Sequence, residues 1–250
     1  MGRLVSFVIH ESDIEWTLRY TKRTLVEAFR PLVDKLGSQY HSEFTRPFCV
    51  ALSGPPGSGK SAIAAIFKDM LSRSGIAVTV LPLDGFHMRN EALKNVRIVR
   101  DGHSFSLYAL KGAPESYAAD YLKHCLVRLK SGERFYWPVY SRITHEPVDR
   151  GILIENSKGL YIIEGNYLLL QREPWMGMRY LFDRTIFIQS RENLLKKRII
   201  SRKKRGGFSG IYARRQYMQS DRHNIEEVLT YSGTWDYRLL HTSRYGYEPG

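Results

Sequence analysis

One stretch constrains this 250-residue chain more than any other: Gly54-Pro55-Pro56-Gly57-Ser58-Gly59-Lys60-Ser61. It satisfies every fixed position of the pattern G-x-x-x-x-G-K-[ST]. The apolar run Phe48–Leu52 precedes it, and a segment with Ala62, Ala64 and Ala65 follows, so the loop joins a strand to a helix. Glycines let the backbone curl until successive N–H groups point inward, and the helix N-terminus adds partial positive charge. The stretch therefore predicts a cradle for phosphate oxygens. In it Lys60 reaches the β- and γ-phosphates of a nucleoside triphosphate, and the Ser61 hydroxyl ligates Mg²⁺. A glycine loop that merely caps a helix is the competing reading, and the flanking strand and helix argue against it.

The rest of the chain supplies a matching frame. Leu4–Ile9 and Ile14–Tyr20 read as a small hairpin around Glu11-Ser12-Asp13. Thr21–Leu36 has helical spacing, with Pro31 as a kink and Gly37 as a stop, and Ser38–Arg46 is a polar connector. Residues 1–46 are thus expected as an N-terminal extension and 47–250 as the main domain. Further strands are expected at Ile76–Leu81, Leu160–Ile163, Thr185–Ile188 and Tyr237–Thr242. Pro82 fits the first of these only at a sheet edge or bulge. Helices are expected at Ala62–Leu71, Pro114–Leu129 and Asn193–Ile200. This alternation predicts an α/β fold: a three-layer sandwich with a mostly parallel central sheet, helices covering both faces.

Composition narrows the class. Cys49 and Cys125 are far apart and lack ligand spacing, so neither a disulfide scaffold nor a structural zinc is expected, and a reducing compartment fits. No apolar run reaches the 18 residues of a membrane span, and Met1–Leu18 does not read as a secretory signal. A cytoplasmic location without membrane contact is the expectation. The net charge of +13 favours polyanionic ligands without choosing among them.

In open α/β sheets ligands sit beyond the carboxyl ends of the strands. Two acids fall there, Asp84 and Glu164, each followed by glycine. One can orient or deprotonate an acceptor hydroxyl while the other holds Mg²⁺ or its waters. A lone strand-end Asp-Gly is a plain turn; two beside a phosphate loop are not. His87, three residues after Asp84, reads equally as a substrate contact or a packed imidazole. No Asn-Lys-x-Asp guanine motif follows the loop, and Asp34–Gly37 precedes it, so a GTPase is not supported.

Five blocks together carry a resemblance: Gly54–Ser61, Leu83–His87, Lys111–Tyr117, Trp137–Arg142 and Ile163–Leu169. In order and spacing they resemble the phosphoribulokinase, uridine kinase and type I pantothenate kinase family of P-loop kinases, across about residues 48–224. The likeness is nearest to an uncharacterised bacterial nucleoside- or fructose-kinase-like branch, which shares the N-terminal extension. The resemblance implies ATP-dependent phosphorylation of a hydroxyl on a small molecule, with Asp84 as base or orienting carboxylate and Glu164 near Mg²⁺. It further implies acceptor contacts at Tyr140, Arg142, His145 and the Lys111–Tyr117 segment, and by analogy Asn224 closing the nucleotide site. Uridine kinases carry Tyr-Asp where this chain has Tyr140-Ser141, and many relatives place Asp where Ala118 stands. The wording of the Lys111 and Trp137 blocks leans toward pantothenate kinases, and the acceptor stays unnamed.

Arg191–Arg215 holds ten cationic side chains against the single acid Glu192, with Gly206-Gly207 and Gly210 as hinges. It reads as a basic lid, about residues 203–220, closing over the site. Arg198 and Arg202 are four apart, share a helix face, and match lid arginines of the family; they are the candidates to stabilise the transferring phosphoryl group. A solvated basic face is the plainer reading of such a run. A third is a P-loop NTPase that holds nucleic acid here, with Phe208, Tyr212 and Tyr217 as stacking platforms. No recognised RNA or DNA module is present, so a nucleic-acid partner is not the first expectation. Oligomeric state is left open, a homodimer included.

Overall fold

The computed structural model describes residues 3–11, 14–42, 45–100, 102–155 and 158–250. The chain opens with an antiparallel hairpin, β1 (Leu4–Glu11) and β2 (Ile14–Thr21), as the alternation predicts; Ser12 and Asp13 of its turn lie outside the described residues. A wide π-type turn, Thr24–Phe29, then runs into α1 (Arg30–Ser42). Pro31 falls where one becomes the other, a joint at which its missing N–H and a widened turn both bend a helix.

Gly37 does not stop this helix, which continues to Ser42 and shortens the expected connector. The residue is buried, and a Cβ there would stand 3.3 Å from Ile76 Cδ1. Close seating of the helix, not termination, is what the glycine provides.

Next come β3 (Phe48–Ser53), α2 (Lys60–Arg73), β4 (Val78–Pro82), the short α3 (Asn90–Asn95), and the hairpin β5 (Arg97–Arg100) and β6 (His103–Ser106). After them come α4 (Ala119–Lys130), the hairpin β7 (Phe135–Ser141) and β8 (Glu146–Ile154), then β9 (Leu160–Gly165) and β10 (Arg184–Ser190). The chain closes with α5 (Glu192–Arg205), α6 (Gly210–Gln216), α7 (Arg222–Tyr231), β11 (Tyr237–Ser243) and β12 (Gly246–Pro249). Six strands form the central sheet in the order β12-β11-β10-β3-β9-β4, all parallel except β12. Pro82 ends β4 on the sheet edge, where its missing N–H removes no ladder bond. The hairpins β5–β6 and β7–β8 were not anticipated. Pro114–Leu129 is not one helix either: a 3₁₀ turn covers Pro114–Ser116, and α4 begins at Ala119. Between them Tyr117 is extended and bridges His87, and the Ala118 N–H donates to the Phe86 carbonyl.

β3 is buried at every residue, the signature of a strand covered on both faces. Its alternate side chains feed two cores. Phe48, Val50 and Leu52 pack with Ile63 and Phe67 of α2 and with Phe29 and Leu36 of the N-terminal segment. Cys49 and Ala51 pack with Leu122 and Leu126 of α4 and with Trp137 and Trp175. Both cysteines are buried free thiols. The N-terminal extension therefore shares its core with the phosphate-loop helix. Phe29 has no exposed surface and makes ring contacts with Tyr20, Phe67 and Tyr247. Phe29→Ala should cost about 3–5 kcal/mol. In urea denaturation the whole chain should lose that stability in one shifted transition, not the extension alone.

Candidate active site

The phosphate loop, residues 54–61, leaves the centre of the sheet at the end of β3 and opens α2, as the motif predicts. Lys60 is buried, and its ammonium donates to the carbonyls of Gly54 (2.9 Å) and Pro55 (3.1 Å). Burial lowers its pKa to about 8; Glu164 and Asp84 oppose that shift, and Arg202 and Arg198 add to it. Two acids and two arginines thus act on one ammonium from three parts of the sequence: the ends of β4 and β9, and α5. At neutral pH Lys60 stays charged and poised for an anion. Ser61 donates its hydroxyl to Glu164 Oε1 at 3.0 Å. A hydroxyl and a carboxylate side by side at the loop suit a hard divalent cation with oxygen ligands. Among the described residues no cluster of three His, Cys, Asp or Glu side chains forms a cage, so such an ion would take its remaining ligands from phosphates and water.

Asp84 follows β4 in a 3₁₀ turn, Leu83–Phe86, and is exposed. Gly85 is required beside it, because a Cβ would sit 2.0 Å from the Pro138 carbonyl of β7. Trp137 Nε1 donates to the Pro82 carbonyl and fastens the same hairpin to the end of β4. The buried Tyr117 hydroxyl reaches Asp84 Oδ1 at 3.4 Å, and burial raises its pKa far above the usual range, so it stays a neutral donor. His87 Nδ1 lies 2.8 Å from the Asp84 carbonyl. A carbonyl only accepts, so Nδ1 carries the proton and Nε2 is left as an acceptor. Burial lowers the His87 pKa against the pull of Asp84. Its ring lies between Tyr117 (centroids 4.0 Å apart) and Tyr140 (5.0 Å).

The remaining acceptor candidates divide. Lys111 donates to Asn90 Oδ1 and to the His145 carbonyl (2.8 Å), and lies over the Tyr140 ring. Burial lowers its pKa while Glu146 opposes the shift. Lys111 therefore pins the tip of β7–β8 beside Asp84. His145 takes part through its backbone, at φ 55°; its side chain is exposed. Arg142 is exposed at the same tip, and its guanidinium makes no hydrogen bond or ion pair among the described residues. The Asn224 amide donates to the Gly112 carbonyl, which also accepts from Tyr167, so Asn224 ties α7 to the Lys111–Tyr117 segment.

α5 is longer than the pattern suggested and contains Lys203–Arg205, so the hinged part of the basic segment is Gly206–Ser209 with α6. Arg202 is exposed, its guanidinium without hydrogen bonds among the described residues. Arg198 is instead engaged beneath the loop. It donates to His241 Nε2 (2.9 Å) and Tyr247 Oη (2.9 Å), and His241 Nδ1 meets Ser190 Oγ (2.7 Å). His241 and Tyr247 were not singled out in the sequence. Neither belongs to a motif, and only the sheet order brings β11 and β12 to the loop.

A strand, phosphate loop and helix with two strand-end acids and a helical basic segment define a P-loop kinase. The description "Phosphoribulokinase / Uridine kinase family" matches residues 49–219, and the chain belongs to that family. It is 32% identical over 213 residues to the uncharacterized protein YggC of Escherichia coli (strain K12), covering 84% of this chain and 85% of that one. It is 30% identical over 161 residues to a pantothenate kinase of Lactococcus lactis subsp. cremoris (strain MG1363), covering 63% of this chain but only 50% of the relative. A crystal structure from Silicibacter sp. TM1040, provisionally a fructose transport system kinase, superposes with a TM-score of 0.71 at 27% identity, covering 82% of this chain and 97% of that one.

Arginine can only donate, so His241 Nε2 must accept and the ring must be neutral. Burial first, then Arg198, lowers its pKa to about 4. The unfolded histidine takes a proton below about pH 6.5. Between those values the unfolded state binds more protons, so stability is full above the upper one and falls as pH drops. The fall should amount to roughly 3 kcal/mol across that window. Denaturation midpoints measured against pH should show it, and His241→Asn should flatten the wild-type slope there.

Proposed function

We propose that the protein is an ATP-dependent small-molecule kinase, a phosphotransferase with an alcohol group as acceptor. The acceptor would be a pantothenate-, nucleoside- or sugar-like metabolite. The observation that carries this reading is the phosphate loop itself, with Lys60 buried in it, Glu164 hydrogen-bonded to Ser61, and Asp84 following the strand next to that of Glu164. The loop amides and Lys60 bind the triphosphate and hold its γ-phosphoryl group in line with the acceptor. Ser61 and Glu164 would hold Mg²⁺, which neutralises charge on the phosphate oxygens. The acceptor hydroxyl lies against Asp84, within reach of His87 and Tyr140. As the acceptor oxygen bonds to the γ-phosphorus, the bond from that phosphorus to the β–γ bridging oxygen breaks. The hydroxyl proton passes to the Asp84 carboxylate, and ADP leaves. Arg202, exposed on α5, is the group free to meet charge on the moving phosphoryl oxygens.

An ADP-release screen over nucleosides, sugars, pantothenate and vitamin precursors would identify the acceptor. With that acceptor, Asp84→Asn should keep ATP binding, read by calorimetry, and lower kcat by about 10²–10⁴. Full transfer activity in the variant would remove Asp84 from its role.

One observation favours a second reading. Lys196, Lys197, Lys204, Arg205 and Arg214 line a groove of about 860 Å³ between α5 and α6. None of the five is ion-paired among the described residues. Phe208 and Tyr212 stack nearby, both exposed (ring centroids 5.1 Å apart). A single-stranded nucleic acid fits cations beside stacked rings. On this reading, oligonucleotide affinity should fall with a slope of roughly −3 in log affinity against log salt. ATP hydrolysis should rise on binding. A flat salt response with full kinase activity would leave the groove as a solvated face.

A further inference from the structure

The phosphate loop is held from below by side chains drawn from four elements. Tyr247 of β12 donates its hydroxyl proton to the Ser58 carbonyl at 2.6 Å. Arg198 of α5 donates to that same phenol oxygen, and through His241 of β11 the chain ends on Ser190 of β10. Tyr247, His241 and Ser190 are all buried.

The bond to Ser58 has a geometric consequence. In a planar trans peptide the carbonyl oxygen of one residue and the N–H of the next point to opposite sides. Holding the Ser58 oxygen toward Tyr247 therefore turns the Gly59 N–H the other way. Gly59 is at φ 97° and ψ 17°, and a Cβ on it would stand 2.5 Å from the Tyr247 oxygen. The peptide plane is thus free to flip on glycine's account and is held by one hydroxyl. Flipped, it would present a carbonyl lone pair where an anion cradle needs a donor.

Tyr247 is itself held by the N-terminal extension. Its backbone N–H donates to Thr24 Oγ1 at 2.8 Å, and the Thr24 hydroxyl lies 3.1 Å from its carbonyl. Its ring meets Tyr20, Phe29 and, stacked, His241. Thr24 is buried and sits in the π-type turn, more than two hundred residues from Tyr247 in sequence. The Thr21 N–H donates to the Tyr245 carbonyl, closing the same seam.

We propose that Tyr247 is a positioning residue that fixes the Ser58–Gly59 peptide for phosphate binding, and that the N-terminal extension acts through Thr24 to keep it in place. This rests on the reading of the loop as a nucleotide site, and it gives the extension a part in nucleotide affinity that is separate from the acceptor.

Calorimetry with Mg-ADP tests it without any acceptor. Tyr247→Phe keeps the ring packing and removes the hydroxyl. Its affinity should fall about tenfold, the effect of one hydrogen bond to a group that binds a charged ligand. In nitrogen-15 spectra the Gly59 amide proton should move downfield on adding Mg-ADP to the wild type and move less in the variant. The nucleotide-free melting temperature should fall by only a few degrees, since the Ser58 carbonyl and Arg198 each lose a partner while the ring packing is kept. Thr24→Val should weaken Mg-ADP in the same direction, and Thr24→Ser should restore it. Wild-type affinity in Tyr247→Phe would overturn the proposal. So would a lowered melting temperature with unchanged Mg-ADP affinity in Thr24→Val, which would leave the extension a purely structural part. If the wild type bound no nucleotide, the kinase reading would fall together with this one; loss of the proposal alone would leave wild-type binding intact.

Discussion

A buried ammonium held by backbone carbonyls is the constraint on which this structure turns. Lys60 is only 8% exposed and rests on two backbone carbonyls. Partial charges satisfy its protons but do not neutralise it, and burial lowers its pKa to about 8. Such a group gains more from a phosphate than an exposed lysine would, because the low-dielectric surroundings strengthen the attraction they make costly to leave unmet. The loop is organised for a polyanion before the ligand arrives, which is where electrostatic catalysis gets most of its advantage.

The sheet makes that arrangement cheap in conformational terms. β3 runs through the centre, buried at each position, so the loop leaves from the most rigid part of the molecule. β9 lies beside β3, and β4 beside β9, which brings Glu164 and Asp84 to the same rim. Asp84 is then fixed by a second layer: Gly85 against Pro138, the Trp137 indole on Pro82, and Tyr117 on the carboxylate itself. The acid is exposed while the residues behind it, Gly85, Trp137 and Tyr117, are packed.

How much of this could be read from the sequence depended on range. The loop, its strand and helix, and the acids after Leu83 and Ile163 were legible, because each is a local pattern with a local cause. Pro82 could be placed at an edge for the same reason. Gly37 was misread because propensity says nothing about Ile76, which packs on it from another element. The hairpin Arg97–Ser106 escaped because its short strands carry arginines and serines in place of a clear apolar alternation, and Phe135–Ser141 because Pro138 interrupts it. Tyr247 and His241 were invisible for a different reason. Their importance comes from partners at Ser58, Thr24, Arg198 and Ser190, contacts that exist only once the sheet order is set.

α5 shows why a charge count alone misleads. Ten cations in one segment look like a single basic feature, yet the helix sorts them by phase. Leu195, Arg198, Ile199 and Arg202 lie toward the phosphate loop: Ile199 is buried, with a Cβ at Gly57 falling 2.9 Å from it, and both arginines act on Lys60. Lys196, Lys197, Ile200 and Lys204 lie on the far side and line the groove with α6. Two arginines of the segment therefore belong to the loop side of the helix. The two are not equivalent, since Arg198 is engaged by His241 and Tyr247 while the guanidinium of Arg202 has no such ties. The helix ties one arginine to the residues beneath the loop and leaves the other exposed on the same face, through the four-residue step between them.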